Sequence, residues 1–572
     1  MNKPVDNIQI ALMTAVFPVC TPLFSQSFHY PKLMVVFFAA VVLLLTLLFK
    51  NELKLPVGPI VVSGGALILI SWCSLGSSHA PLNTIPHCML FLSAAIICFT
   101  VANFDDKAKR TLLSVLFIIA VTESLLAFAQ AAGIGIIPGI LLVKGGPRVI
   151  GTIGNSDFLA AFLGVSIFIG LTMAKKECRY RKLIYTGISV VFIAVVLTRS
   201  KGTVLFLLIW FLFWLTKKKW LAAAAFLILF IVAVLFYPFQ FKGRLLLWLS
   251  SLVTFKENIL FGVGIRQLGH HYLDSIGYLF DTWPVLKAAF GQNVGAVLDA
   301  HNCVLNFSVE TGILGCGLSL MFLYSVFRGR KNMEPFLGYG LLLLLFRSTY
   351  TVMHNSSTTL ILFALLVGIS LPVTTVAVTW QKRVVHVVIF VVALCGASYS
   401  LYVLSADYWY KKGMKAIAIA DVNKGRECIQ KALLRNPQSG DAHLALGHIY
   451  FLQHDTVNIK PPLYKAITCF KTMNSLKISA HMLFYLGMYD DAEKLYREIE
   501  RCYPNHLTTL AKLSEIYFKA EKLELAHQYA SRLLDCKPRV KNRSDYRNRM
   551  TAAEIINITG PLLYQRETPH DD

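Results

Sequence analysis

Charged residues are scarce in this sequence. Only 15% of its 572 residues are Asp, Glu, Lys or Arg, whereas a soluble globular chain carries roughly 25%. Hydrophobic residues make up 55% of the chain. This composition excludes a soluble enzyme of this length, a disordered chain and a fibrous repeat, and it leaves a polytopic membrane protein.

The sequence also lacks the cysteine patterns of metal sites and disulfide scaffolds. Its 12 cysteines are scattered and no CxxC pair occurs, so neither a zinc site nor a disulfide framework is expected. No small-residue cleavage site follows the first apolar segment. We therefore expect that segment to be a retained helix and not a cleaved signal peptide.

Long apolar runs dominate the first part of the chain, and a bilayer span takes about 20 such residues. After about residue 405, charged residues become frequent and no further apolar run of this length occurs. The sequence thus predicts a membrane domain over 1–405 and a second domain over 406–572. The thirteen candidate spans are about 7–24, 32–49, 57–75, 85–103, 110–131, 156–174, 182–198, 202–216, 220–237, 303–327, 336–349, 357–378 and 385–404.

The net charge of +23 is explained largely by the loops between these spans. With a cytoplasmic N-terminus, one alternating set of loops is rich in Lys and Arg, and the other set is much poorer. This is the positive-inside pattern, so the charge is not a sign of nucleic-acid binding. Thirteen spans place residues 406–572 outside the inner membrane, in the periplasm of a Gram-negative cell.

The region after residue 405 carries a repeat. Pro504 and Pro538 lie 34 residues apart, and Ala492 and Ala526 stand twelve residues before them. These features resemble tetratricopeptide repeats, about four units over 406–538. We therefore predict an all-α fold, in which a bundle of 12 or 13 spans is followed by a helical solenoid that binds a protein or peptide partner. The alternative is an irregular helical domain.

Basic residues cluster on the predicted outer side, against the positive-inside trend. They are Arg148, Arg199, Lys201, Arg266 and His301, at outer helix ends or in a long outer loop of about 238–302. Several cations beside Gly-rich backbone suit a phosphate or pyrophosphate group. The alternative is that each side chain simply extends to the membrane interface. For the loop itself we expect helices that lie on the membrane, because the segment 245–253 is apolar but short.

One motif in this region is specific. His301-Asn302 is followed, after nine residues, by Gly312-Ile-Leu-Gly315. This pattern resembles the H-N-x9-G-x-x-G signature of O-antigen ligases and related polymerases, a family that includes bacterial protein O-oligosaccharyltransferases.

Three weaker motifs support the resemblance, which extends over about residues 30–375. GTIGN at 151–155 is similar to the family's Gly/Asn-rich motif, and GVGIR at 262–266 to the start of its large periplasmic loop. TRSKG at 198–202 resembles its T-x-S-R-G motif, with Lys201 in place of the family's arginine. Lysine keeps the charge but lacks the bidentate fork. Arg199 would supply that fork only through a non-helical turn.

The resemblance implies metal-independent transfer of a glycan from an undecaprenyl diphosphate donor to an acceptor hydroxyl, without a cofactor. The acceptor would be lipid A–core, a second lipid-linked glycan, or a Ser or Thr of a protein. It implies that His301 is the catalytic residue and either activates the acceptor or holds the diphosphate. The expected substrate-binding residues are Arg148, Asn155, Arg199, Lys201, Arg266 and Asn302.

Two other classes of function remain open, namely a transporter or flippase with a docking domain, and a non-catalytic scaffold that presents the repeats. Of the remaining polar residues, Arg347 and His354 lie at another outer helix end and would join the site. Asp299 is expected to be solvated. His270-His271 are not expected to bind a metal, because no Cys or Asp cluster accompanies them.

Overall fold

The computed structural model describes residues 3–49, 52–134, 148–176, 179–216, 238–295, 297–377, 380–536 and 543–567. About 78% of the chain is helical and almost none is strand, so the predicted all-α class is confirmed.

The first eight described helices precede a gap at 217–237. They are α1 (Lys3–Thr14), α2 (Tyr30–Leu48), α3 (Pro59–Cys73), α4 (Pro81–Ala102), α5 (Asp106–Ala131), α6 (Ser156–Lys176), α7 (Arg181–Leu197) and α8 (Lys201–Thr216).

The next seven lead to the end of the membrane part. They are α9 (Pro238–Glu257), α10 (Leu268–Thr282), α11 (Pro284–Phe290), α12 (Cys303–Gly329), α13 (Pro335–Ser348), α14 (Ser357–Ser370) and α15 (Trp380–Ala418). Short 3-10 turns lie at Ser74–Ser77, Arg330–Asn332 and Met353–Asn355.

The C-terminal helices are α16 (Val422–Arg435), α17 (Gly440–Leu452), α18 (Lys460–Cys469), α19 (Met473–Tyr485), α20 (Tyr489–Cys502), α21 (Leu507–Lys519), α22 (Leu523–Asp535) and α23 (Arg543–Glu567).

Among the described residues, seven helical stretches are long and apolar enough to cross a membrane. They are Tyr30–Leu48, Pro59–Ser77, Pro81–Ala102, Asp106–Ala131, Ser156–Lys176, Cys303–Asn332 and Val384–Ala418, and three shorter apolar helices are Lys201–Leu215, Pro335–Ser348 and Ser357–Ser370. The apolar side chains of Phe38, Leu69 and Ile118 are exposed on these helices, as expected for groups that face lipid. The protein is therefore a multi-pass membrane protein. The predicted span 220–237 lies outside the described residues.

Two predicted spans end early in the structure. The segment 7–24 is helical only as far as Thr14. The segment 357–378 is helical only to Ser370, because Pro372 disfavours helical backbone at the residue before it,. The β-branched residues that follow form a strand, β2 (Val373–Ala377), which pairs antiparallel with β1 (Glu52–Pro56).

Small residues allow the membrane helices to pack closely around α6. A Cβ added to Gly170 of α6 would lie 2.6 Å from Phe117 of α5 and 2.7 Å from Ile188 of α7. Phe162 and Phe168 of the same helix are fully buried. This central helix therefore fixes the relative positions of its neighbours.

The C-terminal helices follow one another in packed pairs, with α17 against α18, α19 against α20, and α21 against α22. The small residues that the repeat pattern predicted at helix crossings, Ala492 and Ala526, have no exposed surface, and the same holds for Ala432 and Ala466. A helical solenoid is consistent with this packing, and the tetratricopeptide assignment stays a prediction. One helix, α15, runs without a break through the predicted domain boundary at 405–406.

The segment 238–295 packs against protein, and its expected position on the membrane stays a prediction. Leu246 of α9 and Ile276 of α10 belong to the same hydrophobic core as Leu476 and Leu483 of α19. The apolar faces of α9 and α10 therefore pack against the C-terminal helices.

Candidate active site

The start of α6 is built by a capping residue of the Gly/Asn-rich motif. Asn155 accepts the backbone N–H of Asp157 at 2.8 Å and that of Phe158 at 3.3 Å through its side-chain oxygen. This bonding is typical of a helix N-cap. Asn155 thus positions Asp157, and its own oxygen is already occupied.

Asp157 connects this helix start to the junction of α7 and α8. The Ser200 hydroxyl donates to Asp157 at 2.6 Å, and the Arg148 guanidinium lies 4.0 Å from the other carboxylate oxygen. Ser200 stands between Arg199 and Lys201, where the helix breaks because Arg199 has a φ of 54°. The predicted non-helical turn is therefore present. Four predicted substrate-binding residues lie in segments that meet at the Asp157 carboxylate, namely Arg148, Asn155, Arg199 and Lys201.

Arg347, at the end of α13, reaches the same TRSKG segment. Its side chain is only 1% exposed, and its Nη1 donates to Thr203 at 2.6 Å and to Ser200 at 3.3 Å. Its Nη2 has no hydrogen-bond partner, and no carboxylate of the described chain forms an ion pair with it. A buried cation without a counter-ion is costly. The position of Arg347 therefore favours an anionic ligand at this point.

Arg244 is a site residue that the sequence analysis missed. It lies in α9 and donates from Nη1 to the Tyr350 carbonyl at 3.1 Å, while the Arg347 guanidinium lies 5.6 Å from the centre of the Tyr350 ring. Burial lowers the pKa of Arg244, and the negative charges of Asp157 and Asp299 oppose that shift. Arg244 is thus close to the carboxylates of both acids.

His301 is oriented by Asp299. The imidazole Nδ1 lies 3.0 Å from a carboxylate oxygen of Asp299, which also accepts the His301 backbone N–H at 2.9 Å. The side chain of Asn355 donates to the other oxygen at 2.9 Å. The imidazole itself is half exposed. With Nδ1 donating to the carboxylate, Nε2 is left as a proton acceptor.

The expectation that Asp299 is solvated was wrong. Its side chain is mostly buried. Burial raises the pKa of Asp299, but hydrogen bonds from His301 and Asn355 and the nearby imidazole charge lower it to about 2. The carboxylate therefore stays ionised. An acid two residues before the motif histidine was the signal available in the sequence.

Asn302 ties the His301 segment to the end of α13. Its oxygen caps α12 by accepting the N–H of Leu305 at 3.0 Å, and its amide donates to the Thr349 carbonyl at 3.0 Å. Thr349 follows Arg347 by two residues. The histidine motif and the buried arginine are consequently held in one assembly.

Arg266 lies apart from the other predicted cations. Its backbone N–H donates to the buried Glu310 at 2.9 Å, and Glu310 lies 3.7 Å from His354. The Arg266 side chain lines a separate cavity, together with Tyr30 and His87. Arg266 is therefore linked to the region of the His301–Asp299 pair through Glu310 and His354 rather than through Asp157.

His270 and His271 lie in α10, near His79. Ring centres in this trio are 4.8 to 5.3 Å apart, and His270 Nδ1 accepts the backbone N–H of Lys471 at 3.0 Å. Burial lowers the pKa of His270 and of His271 to about 4, so both rings are neutral at pH 7. Within the described ranges, no three His, Cys, Asp or Glu side chains are arranged to hold a metal ion.

An apolar cavity of about 370 Å³ leads to this end of the bundle. Side chains of α3, α4, α12 and α14 line it, and its walls include Phe91 and Phe322. Cys303 also lines it, in the helix that follows His301-Asn302, together with Met353 and His354 of the adjoining 3-10 turn, where the Met353 N–H donates to the Cys303 sulfur at 3.2 Å. A cavity of this character suits a hydrocarbon chain.

These features define a multi-pass membrane protein with a histidine–acid pair and several arginines where its helix ends meet. Residues 186–320 match a family model described as O-antigen ligase. The match includes the TRSKG, GVGIR and histidine motifs, so it supports the resemblance to O-antigen ligases over this part of the chain. No curated protein matches the chain.

Proposed function

We propose that this protein transfers a glycan from a polyprenyl diphosphate to an acceptor hydroxyl at the outer face of the inner membrane, with its C-terminal helices in the periplasm. The observation that carries the proposal is Arg347, a buried cation without a counter-ion, held in one assembly with the His301–Asp299 pair. A diphosphate supplies the missing negative charge, and a histidine–acid pair removes the acceptor's proton.

In the proposed reaction, His301 is the general base. Its Nε2 takes the proton of the acceptor hydroxyl while the acceptor oxygen forms a bond to the anomeric carbon. Asp299 holds Nδ1 and stabilises the imidazolium that results. The bond between the anomeric carbon and the diphosphate oxygen breaks, and the diphosphate leaves with the electron pair. A direct displacement of this kind inverts the anomeric centre.

The arginines stabilise the leaving group. Negative charge grows on the diphosphate as the glycosidic bond breaks, and preorganised cations act most strongly on charge that develops in the transition state. Arg347 offers an unpartnered Nη2, and Arg244 and Arg148 add charge around Asp157. In this proposal the fork that Lys201 lacks comes from Arg347.

The apolar cavity would hold the polyprenyl chain of the donor. Its lining is almost wholly apolar, and it reaches Cys303 and His354 beside the reacting centre. A lipid seated there would present its diphosphate to the arginines without leaving the membrane.

Three acceptors fit this chemistry, namely lipid A–core, a Ser or Thr of a protein, and a growing lipid-linked glycan. The test is reconstitution of the purified protein with the host's undecaprenyl-diphosphate glycan and each acceptor in turn. The mass of the product identifies the acceptor. We expect His301→Ala to lower the turnover about 10²-fold or more, the usual contribution of a general base.

His454→Ala is the matched control, because His454 is an exposed histidine with a φ of 54°, close to the 49° of His301. It should transfer glycan as the wild type does. Undiminished transfer by His301→Ala would exclude the base role. If neither wild type nor variant consumes the donor with any acceptor, the proposed reaction is wrong.

A further inference from the structure

A second cavity, of about 610 Å³, lies between the membrane helices and the C-terminal helices. Its volume is within the range of roughly 300–1,000 Å³ that small-molecule sites occupy. One wall comes from the membrane side and includes Tyr30, His87 and Arg266. The other comes from the C-terminal side and includes Asp407, Asp441 and Asn474. The reaction proposed above does not use this space.

Three alternate C-terminal helices contribute to the cavity. Residues of α15, α17 and α19 line it, whereas no residue of the intervening helices α16 and α18 does. In helical solenoids, alternate helices make the concave face that binds ligands. That face is here turned towards the membrane domain, and the two together line a shared cavity.

The two halves are held together around this space by specific polar contacts. At the start of α4, the Asn83 amide donates to the Gln438 carbonyl at 3.1 Å, and the Asn436 amide donates to Asn83 at 2.8 Å. The Lys411 ammonium donates to the carbonyls of Pro22 and Phe24 at 2.6 and 2.7 Å. The two walls of the cavity are consequently held in place by hydrogen bonds between the two halves.

The polar groups on the two walls are complementary and largely unused. The Arg266 guanidinium, the Asp441 carboxylate and the Asn474 amide have no hydrogen-bond partner among the described residues, and burial raises the pKa of Asp441. Tyr30 and Tyr410 add aromatic rings. Donors, acceptors and rings together match a ligand with many hydroxyl groups and apolar ring faces. A purely anionic ligand would meet two carboxylates, Asp407 and Asp441.

We propose that this cavity binds sugar residues of the glycan, with the C-terminal helices forming one wall of the site. The proposal rests on the transfer reaction proposed above. An extended peptide needs an open groove along its length, whereas here the membrane domain forms the opposite wall. The sugars belong either to the lipid-linked donor or to an acceptor that is itself a glycan.

The cavity is linked to the proposed reacting centre through Arg266. The backbone of Arg266 bonds to Glu310, Glu310 approaches His354, and the neighbouring Asn355 bonds to Asp299. Asp299 in turn holds His301. A sugar bound in the cavity would therefore help to position the sugar residue that reacts beside His301.

The test uses the full-length protein in detergent and the oligosaccharide released by mild acid from the host's lipid-linked precursor. Equilibrium binding is measured for wild type, Asp441→Asn and Asn474→Ala. We expect each variant to bind the oligosaccharide at least tenfold more weakly. Asp490→Asn is the matched control, since Asp490 is an exposed acid on α20 away from the cavity, and it should bind as wild type does.

A second measurement distinguishes a failure of the proposed sugar site from a failure of the proposed reaction. His301→Ala should bind the free oligosaccharide normally while failing to transfer it. If His301→Ala transfers as fast as the wild type, the base role of His301 is wrong whatever the binding shows. If Asp441→Asn and Asn474→Ala both bind like wild type, the sugar site is wrong even if transfer occurs.

Turnover then identifies the source of the sugar. A higher KM of Asp441→Asn for the donor indicates the donor glycan, and a higher KM for a glycan acceptor indicates the acceptor. If Asp441→Asn weakens only the binding of a Ser/Thr acceptor peptide, the cavity is a polypeptide site and the proposal is overturned.

Discussion

Cationic side chains differ in their acidic partners between two regions of this protein. Where the membrane helices end, Arg347 is buried with no carboxylate partner in the described chain, and Arg148 has one acid at 4.0 Å. Between the outer segment and the C-terminal helices, Lys471 contacts Asp274 and Glu498, and Arg501 contacts Asp281 at 2.7 Å. Paired charges join two surfaces. An unpaired buried charge weakens the fold, and the anionic ligand proposed above would compensate for it.

The largest loss of transfer is expected at Arg347, the buried cation without a carboxylate partner. Arg347→Met removes a buried charge and keeps the length of the side chain, so we expect the Tm to stay equal or to rise. Transfer should fall about 10²- to 10³-fold, as when one electrostatic stabiliser of a transition state is lost. Thermal unfolding and turnover of the reconstituted protein measure both. A lower Tm together with unchanged transfer would make Arg347 a structural cation like Lys471.

Asp299→Asn tests the acid beside the histidine. The change keeps the shape but removes the charge that stabilises a protonated imidazole, so we expect kcat to fall about 10²-fold. The KM for the lipid donor should stay the same, since Asp299 acts through His301. Asp281→Asn, at the exposed pair with Arg501, is the control. An equal loss in both variants would show that the effect comes from general loss of charge.

A paired cation should give the opposite result to Arg347. Lys471→Met leaves Asp274 and Glu498 without their partner, and we expect it to lower the stability by about 1–3 kcal/mol. Transfer should change less than tenfold. Arg501→Met, at a half-exposed pair, should cost about 1 kcal/mol or less. Chemical unfolding with a fluorescence readout ranks the two variants, and a reversed order would contradict this account of the interface.

A pH dependence is also expected at the same interface. The pKa of His270 and His271 is about 4 in the fold, against 6.5 for an ordinary histidine. Stability from these neutral rings is complete above pH 6.5 and is lost as the pH falls from 6.5 towards 4. We therefore expect the Tm to drop between pH 7.5 and pH 5.

The double variant His270→Asn with His271→Gln should flatten this dependence. Asparagine can still accept the N–H of Lys471, and neither new side chain titrates. Equal drops in Tm for wild type and variant would assign the acid sensitivity to other groups.

Much of the fold could be predicted from the sequence, because apolar runs, Pro positions and small residues reflect local rules. The end of α14 before Pro372 follows from such a rule, although the predicted span 357–378 ran past it. The packing of α9 and α10 against the C-terminal helices could not be predicted in this way, because it joins segments about 200 residues apart. An apolar face alone does not say whether it meets lipid or protein.

The residues of the site also differ in whether the sequence alone could reveal them. His301, Asn302 and the TRSKG segment stand in motifs and could be found from the sequence. Arg244 could not, because only the fold brings α9 against Tyr350. The partners of a residue decide its role, and partners are a property of the tertiary structure.

The continuous helix α15 has a mechanical consequence. Its 39 residues make a rod of about 58 Å at 1.5 Å per residue, and the rod carries the chain from a membrane span into the first C-terminal pair. Because this helix has no break, the C-terminal helices are joined rigidly to the last apolar span and cannot swing as a tethered arm would. Any rearrangement of the C-terminal helices therefore has to bend α15 or move its apolar part as well.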